Sequence, residues 1–144
     1  MATDLTPDEM VDLEEFLKPP RVAIVATVGK TGMPQLTPNW YVFQDGRLAI
    51  STTKETIKYR NLSRDSRLAV CIYSEPRASE YATVVGVAEV IDDESIWPIT
   101  RAIVERYVKP DGVNPRMRLL RTQNRVIVSL VPERVLFRAV ALPA

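Results

Sequence analysis

The chain has 144 residues, is 46% hydrophobic and 26% charged, and carries a formal net charge of +1. Those values fit one globular domain, residues 1–144, with a single buried core, and argue against a dedicated nucleic-acid-binding face. One cysteine and no histidine exclude an intramolecular disulfide, a histidine-based nucleophile system and a histidine-ligated zinc, so demanding chemistry would fall to a bound cofactor.

The first residues, MATDLTPDEM, lack the basic and apolar regions of a signal peptide, and no apolar run reaches membrane-spanning length. A cytoplasmic protein without membrane attachment is expected. Thr6-Pro7-Asp8-Glu9 is a helix start: Thr6 caps, Pro7 fits the first helical position and Glu9 completes a capping box. Met10, Leu13, Phe16 and Leu17 continue one apolar stripe until Pro19-Pro20 ends it. This helix is expected to pack across a barrel opening.

Arg21 to Val28 reads as a buried strand, and Gly29-Lys30-Thr31-Gly32 as the hairpin turn after it. The "GKT" is not a P-loop, because the earlier glycine of that motif falls at Ile24 and a strand follows. The next strand is read as continuous from Met33 to Phe43, with Leu36, Trp40 and Val42 on one face and Gln35, Thr37, Asn39 and Tyr41 on the other. Gln44-Asp45-Gly46 turns it into a strand over Arg47 to Ser51.

Ser51-Thr52-Thr53 then stands before a helix carrying Lys58 and Arg60. Two readings are open there. Thr52 or Thr53 serves as an ordinary N-cap above a solvated basic face. Alternatively, the hydroxyls, free N–H groups and an exposed Lys58 about one turn in, with Thr53 and Thr56 beside it, hold a phosphate.

Arg67 to Tyr73 forms another strand, in which Cys71 is a small packing residue rather than a nucleophile. Ser74 to Glu80 is a loop, and Tyr81 to Ile91 a strand with Gly86 at a bulge or close approach. Asp92-Asp93-Glu94 opens a helix over Ser95 to Val108, since three adjacent carboxylates do not share a face for a metal. A short basic helix is expected from Asn114-Pro115, then strands over Arg125 to Val131 and Arg134 to Val140. About seven strands with three or four helices indicate a mainly β antiparallel barrel. Trp40, Tyr41 and Phe43 sit on a core strand and not on a basic stacking platform.

The segment PRVAIVATVGKTGMPQLTPNWYVFQDGRLAISTTKETIKYRNLSRDSRLAVCIY resembles the front half of the pyridoxamine-5′-phosphate-oxidase-like split-barrel proteins, most closely their F420-dependent, deazaflavin-using oxidoreductase branch. RVIVSLVPERV near the end is a weaker echo. The resemblance implies a six-stranded antiparallel split β-barrel with flanking helices, and a homodimer with the cofactor in a groove between subunits. It further implies that Lys58 holds the cofactor phosphate, that Ser51, Thr52 and Thr53 lie beside the ring and its side chain, and that Gln35, Thr37 and Asn39 lie under the ring. Thr56 joins this cofactor-binding set through its place at the helix start.

Pyridoxamine-phosphate oxidases carry an arginine just before the matching lysine, where this chain has Ile57, and basic residues where it has Gln35 and Thr37. Fewer cations suit a singly charged phosphodiester, as in F420, better than a dianionic phosphomonoester, as in FMN. The expected activity is hydride transfer between F420 and a small electron-poor organic acceptor. The alternatives are an FMN-dependent oxidase or reductase and a non-catalytic flavin or F420 carrier. Tyr41 and Tyr73 are candidate proton donors, each weighed against ordinary packing. Arg116, Arg118, Arg121 and Arg125 form either a solvated face or a binding strip for the polyglutamate tail of F420.

Overall fold

The computed structural model describes residues 4–139. Helix α1 (Pro7–Leu17) begins as its sequence dictates: Thr6 Oγ1 accepts from the Glu9 amide at 3.1 Å, and Glu9 Oε1 accepts from the Thr6 amide at 3.0 Å. Strands β1 (Ala23–Val28), β2 (Pro34–Asn39), β3 (Val42–Gln44) and β4 (Arg47–Thr53) follow, then α2 (Ile57–Arg64). Next come β5 (Arg67–Tyr73), β6 (Glu80–Ile91), α3 (Ile96–Tyr107), α4 (Pro110–Leu120), β7 (Arg125–Leu130) and β8 (Arg134–Ala139). The sequence extends the last strand to Val140, which lies outside the described residues.

The strands pair antiparallel in the order β2-β1-β5-β6-β7-β4-β3, and β8 joins β6 on the edge opposite β5. This is a split barrel of eight strands rather than the expected six. The 12-residue β6 makes the split. Its first half, Glu80 to Val85, pairs with β8, and its end, Ala88 to Ile91, pairs with β7. Gly86 sits at the changeover. A Cβ there would come within 2.6 Å of Leu130 Cδ1 and 2.7 Å of the Val131 carbonyl oxygen, so only glycine lets the outgoing chain cross so closely.

The barrel interior holds Val25, Leu48, Ile50, Leu68, Val70, Ile72, Val84 and Leu130, and α1 closes it with Leu13 and Leu17. Each of those two leucines is at most 1% exposed, and full burial of such a side chain contributes about 1.5–3 kcal/mol. On the outer surface α3 covers Val42, Ala49 and Ile127, and α4 packs on α3 through Val104, Val113 and Met117. β4 and β7 are therefore buried on both faces, which explains their unbroken apolar runs.

Three sequence expectations are corrected. The strand over Met33 to Phe43 is interrupted at Trp40-Tyr41. There Tyr41 turns fully inward, and its hydroxyl reaches the Leu17 and Pro19 carbonyls at 3.1 and 3.0 Å. β4 runs on to Thr53 because Thr52 and Thr53 pair with Val126 and Arg125 of β7, so the cap of α2 is Thr56, whose Oγ1 accepts from the Tyr59 amide. α4 starts at Pro110 and contains Pro115. As the sixth residue of the helix, that proline removes only the bond to Asp111 in the first turn.

Candidate functional site

β2 places alternate side chains on opposite faces, and its polar set, Gln35, Thr37 and Asn39, is the half-buried one. Leu36 points out, 60% exposed, as does Met33 just before the strand. This polar face runs between two depressions.

The larger is a cleft of about 350 Å³ at the Asn39 end. Asn39, Trp40, Ser51, Arg116 and Arg125 line it, with Ile103, Val104 and Leu120 of α3 and α4 as an apolar wall. Arg125 donates through Nε and Nη2 to Ser51 Oγ at 3.2 and 2.9 Å. The Trp40 indole stacks on the Tyr107 ring, centroids 4.9 Å apart and planes 3° apart, and the Arg116 guanidinium lies 5.1 Å above the indole. Tyr107 is in turn held by its hydroxyl on the Arg21 carbonyl at 2.6 Å. One mouth of the cleft is thus an aromatic pair under a cation.

Lys58 reaches this cleft through Asn39, one of its lining residues. It is the second residue of α2 and only 6% exposed, not the solvated lysine one turn in that the sequence suggested. Its Nζ donates to Asn39 Oδ1 at 2.5 Å, while Asn39 Nδ2 donates to the Thr37 carbonyl and Oγ1 at 2.7 and 3.1 Å. Burial first, then the charge of Arg125, lowers the Lys58 pKa to about 8. Burial and the Arg116 charge lower Arg125 as well. None of the ion pairs among the described residues involves Lys58, Arg116 or Arg125. No acid occupies the first turn of α2. Three cations and the positive end of a helix converge without an internal anion, an arrangement that an anionic ligand stabilises.

The expected site residues divide as follows. Asn39, Lys58, Thr37 and Ser51 come together around this cleft, joined by Arg125 and Arg116. Thr52 is buried on the other side of β4, its Oγ1 3.1 Å from Thr56 Oγ1. Thr56 Oγ1 also donates to the Thr53 carbonyl at 3.0 Å. The Thr52 and Thr56 hydroxyls thus build the turn between β4 and α2. Gln35 faces the second depression.

Tyr41 is unsuited to proton donation: it is fully buried, held on two carbonyls, and desolvation pushes its pKa up to about 12. Tyr73, at the end of β5, does not line the cleft. The four arginines, read as either a solvated face or a tail-binding strip, are dispersed. Arg116 and Arg125 line the cleft, Arg121 stacks over Trp97 at 4.5 Å, and Arg118 is exposed in the last turn of α4. Sequence reasoning missed the part of Arg116 and Arg125 in the cleft and its wall on α3 and α4. One signal was present: no acidic residue occurs between Asp111 and Glu133, so these arginines have no acidic partner close in sequence.

A family model described as "Pyridoxamine 5'-phosphate oxidase" matches residues 11–139. Among solved structures, a conserved hypothetical protein from Mycobacterium tuberculosis is 24% identical, with a TM-score of 0.79 over 100% of this chain and 93% of its own. An F420 reductase is 23% identical, TM-score 0.68, over 85% of this chain and 94% of its own. General Stress Protein 26 from Bacillus anthracis is 13% identical, TM-score 0.66, over 92% and 95%. At these identities the likeness concerns the fold. No curated protein matches the chain significantly.

Proposed function

The chain belongs to the pyridoxamine 5'-phosphate oxidase family, a family of flavin-binding oxidoreductases, and from that premise we propose that it binds F420 and transfers a hydride between it and a small electron-poor acceptor. One observation carries this reading. Lys58, Arg125 and Arg116 gather beside an apolar-walled cleft with no carboxylate among the groups named there. That donor set fits a phosphate joined to a flat ring system: cations and amide donors for the anion, apolar walls for the ring.

When bound, the cofactor supplies the hydride chemistry. The chain's own part is positional. Lys58 uses one of its three N–H donors on Asn39, which leaves donors for a phosphate oxygen. Asn39 and Thr37 fix each other, and β2 presents them as a rigid edge. Ile103, Val104 and Leu120 line the cleft and would exclude water from a ring bound there. No side chain here is assigned a proton-transfer role.

A homodimer that completes the groove is part of the proposal. Met33 and Leu36, 72% and 60% exposed around β2, with Leu136 of β8 at 45%, are the apolar residues such a pairing would cover.

Titrating the purified protein with F420 and FMN side by side tests the choice of cofactor. Tighter binding of F420, followed by oxidation of the reduced cofactor by at least one acceptor in a panel of enones and quinones, is the expected result. Tighter FMN binding overturns the cofactor assignment. Tight F420 binding with no turnover across the panel would make the protein a carrier.

A further inference from the structure

The 350 Å³ cleft is graded from floor to mouth. Ile103, Val104 and Leu120 are buried, whereas Pro38, Trp40 and Arg116 are the exposed members of its lining. A molecule that is to meet a ring lying against the buried residues therefore enters past Trp40 and Arg116.

The three cations around this cleft are not equivalent. Lys58 donates to Asn39 Oδ1, and Arg125 donates to Ser51 Oγ and Gln123 Oε1. Neighbouring side chains thus orient both. Arg116 makes no hydrogen bond and no ion pair among the described residues. Its guanidinium instead lies 5.1 Å over the Trp40 indole, which is itself stacked on Tyr107. Tyr107 is fixed in turn, its hydroxyl donating to the Arg21 carbonyl at 2.6 Å and accepting from the Tyr41 amide at 3.3 Å. Arg116 therefore rests on a rigid aromatic platform with its N–H donors uncommitted.

Its surroundings favour an anion. No acidic residue lines the cleft. Arg125, its pKa lowered first by burial and then by the Arg116 charge, is near enough to feel that second cation. An uncommitted guanidinium fork is suited to a carboxylate, which it can hold through two parallel hydrogen bonds. The indole and proline beside it offer flat apolar surface to the body of the same ligand.

We propose that Arg116 recognises the acceptor, and that the acceptor is a planar conjugated carbonyl compound bearing a carboxylate. This deepens the hydride-transfer reading and rests on it. In the reaction the acceptor's conjugated π system gains a hydride at its electron-poor end and a solvent proton at the other. The reduced cofactor loses that hydride and releases one proton to solvent, so it is oxidised by two electrons as the acceptor is reduced by two. Arg116 holds a group remote from the reacting atoms. Its contact is the same in the ground and transition states, and it is expressed in KM and not in kcat.

The test is steady-state oxidation of reduced F420 by matched pairs: enones and quinones with a carboxylate side chain, each against its methyl ester. Wild-type protein should show a KM roughly three- to tenfold lower for the acids, with kcat alike within each pair. The preference should shrink as salt rises. In Arg116→Gln the acid-to-ester ratio of kcat/KM should fall to about one, and Arg116→Lys should restore part of it, since the charge survives while the fork is lost. The ratio is read within one protein, so a change in cofactor binding or stability cancels from it. Equal KM for acid and ester in wild type overturns the acceptor site and leaves the hydride-transfer reading intact, as does a preference that survives Arg116→Gln. If no acceptor of either form oxidises reduced F420, the parent reading fails and the acceptor site with it.

Discussion

The ammonium of Lys58 and the side-chain carbonyl of Asn39 meet at 2.5 Å, tying the start of α2 to the end of β2 at the edge of the cationic cleft. A buried ammonium with one neutral acceptor and no carboxylate is poorly compensated. Nothing in the packing of the barrel requires a charge at that place. That uncompensated charge supports the proposed anion site and implies a cost to the unliganded protein.

That cost has a pH signature. Lys58 titrates near 8 in the folded chain, against an ordinary value of 10.5. Between those values the unfolded chain holds a proton that the folded chain has released, so stability rises with pH across this window. Below the lower value the penalty is fully present. Lys58→Met keeps the volume and removes the titration. The melting temperature of wild type relative to Lys58→Met should therefore improve between pH 7.5 and 10. A difference that stays flat over that range would mean the ammonium is effectively solvated.

Gly86→Ala should destabilise the fold. Its Cβ would meet Leu130 Cδ1 and the Val131 carbonyl oxygen at 2.6 and 2.7 Å, and the second of these is backbone that cannot turn aside. A loss of about 1–3 kcal/mol in chemical denaturation is expected, the usual range for overpacking. Unchanged stability would show that the β7–β8 crossing is looser than the close approach implies.

Leu36→Glu tests the proposed pairing of subunits. Leu36 is 60% exposed on the outward face of β2, so the substitution should leave the monomer fold intact while placing a charge in the contact. Light scattering should give a dimer for wild type and a monomer for the variant. A wild-type monomer at micromolar concentration would contradict the shared groove.

Much of the fold was legible locally. The capping box of α1, the hairpin turn at Gly29–Gly32 and the close approach at Gly86 follow from residue types and spacing alone. The misread boundaries all have non-local causes. Tyr41 breaks the long strand because carbonyls of α1 and the segment after it wait for its hydroxyl. β4 outlasts its expected end because β7, some seventy residues later, supplies partners for Thr52 and Thr53. The candidate site behaved likewise. Lys58, Asn39 and Ser51 could be picked from one stretch of sequence, whereas Arg125 reaches Ser51 only through the β4–β7 pairing, and the apolar wall on α3 and α4 depends on packing.

The central claim, that Lys58 anchors the cofactor's phosphate, is tested most directly by titrating F420 into wild-type and Lys58→Met protein at pH 7. Binding can be followed through the fluorescence of Trp40 at the cleft mouth, with a thermal melt on the same samples. Loss of a charge-assisted hydrogen bond predicts about ten- to hundredfold weaker binding, in a variant that melts at or above the wild-type temperature. A Lys58→Met protein that folds normally and binds F420 as tightly as wild type would contradict it.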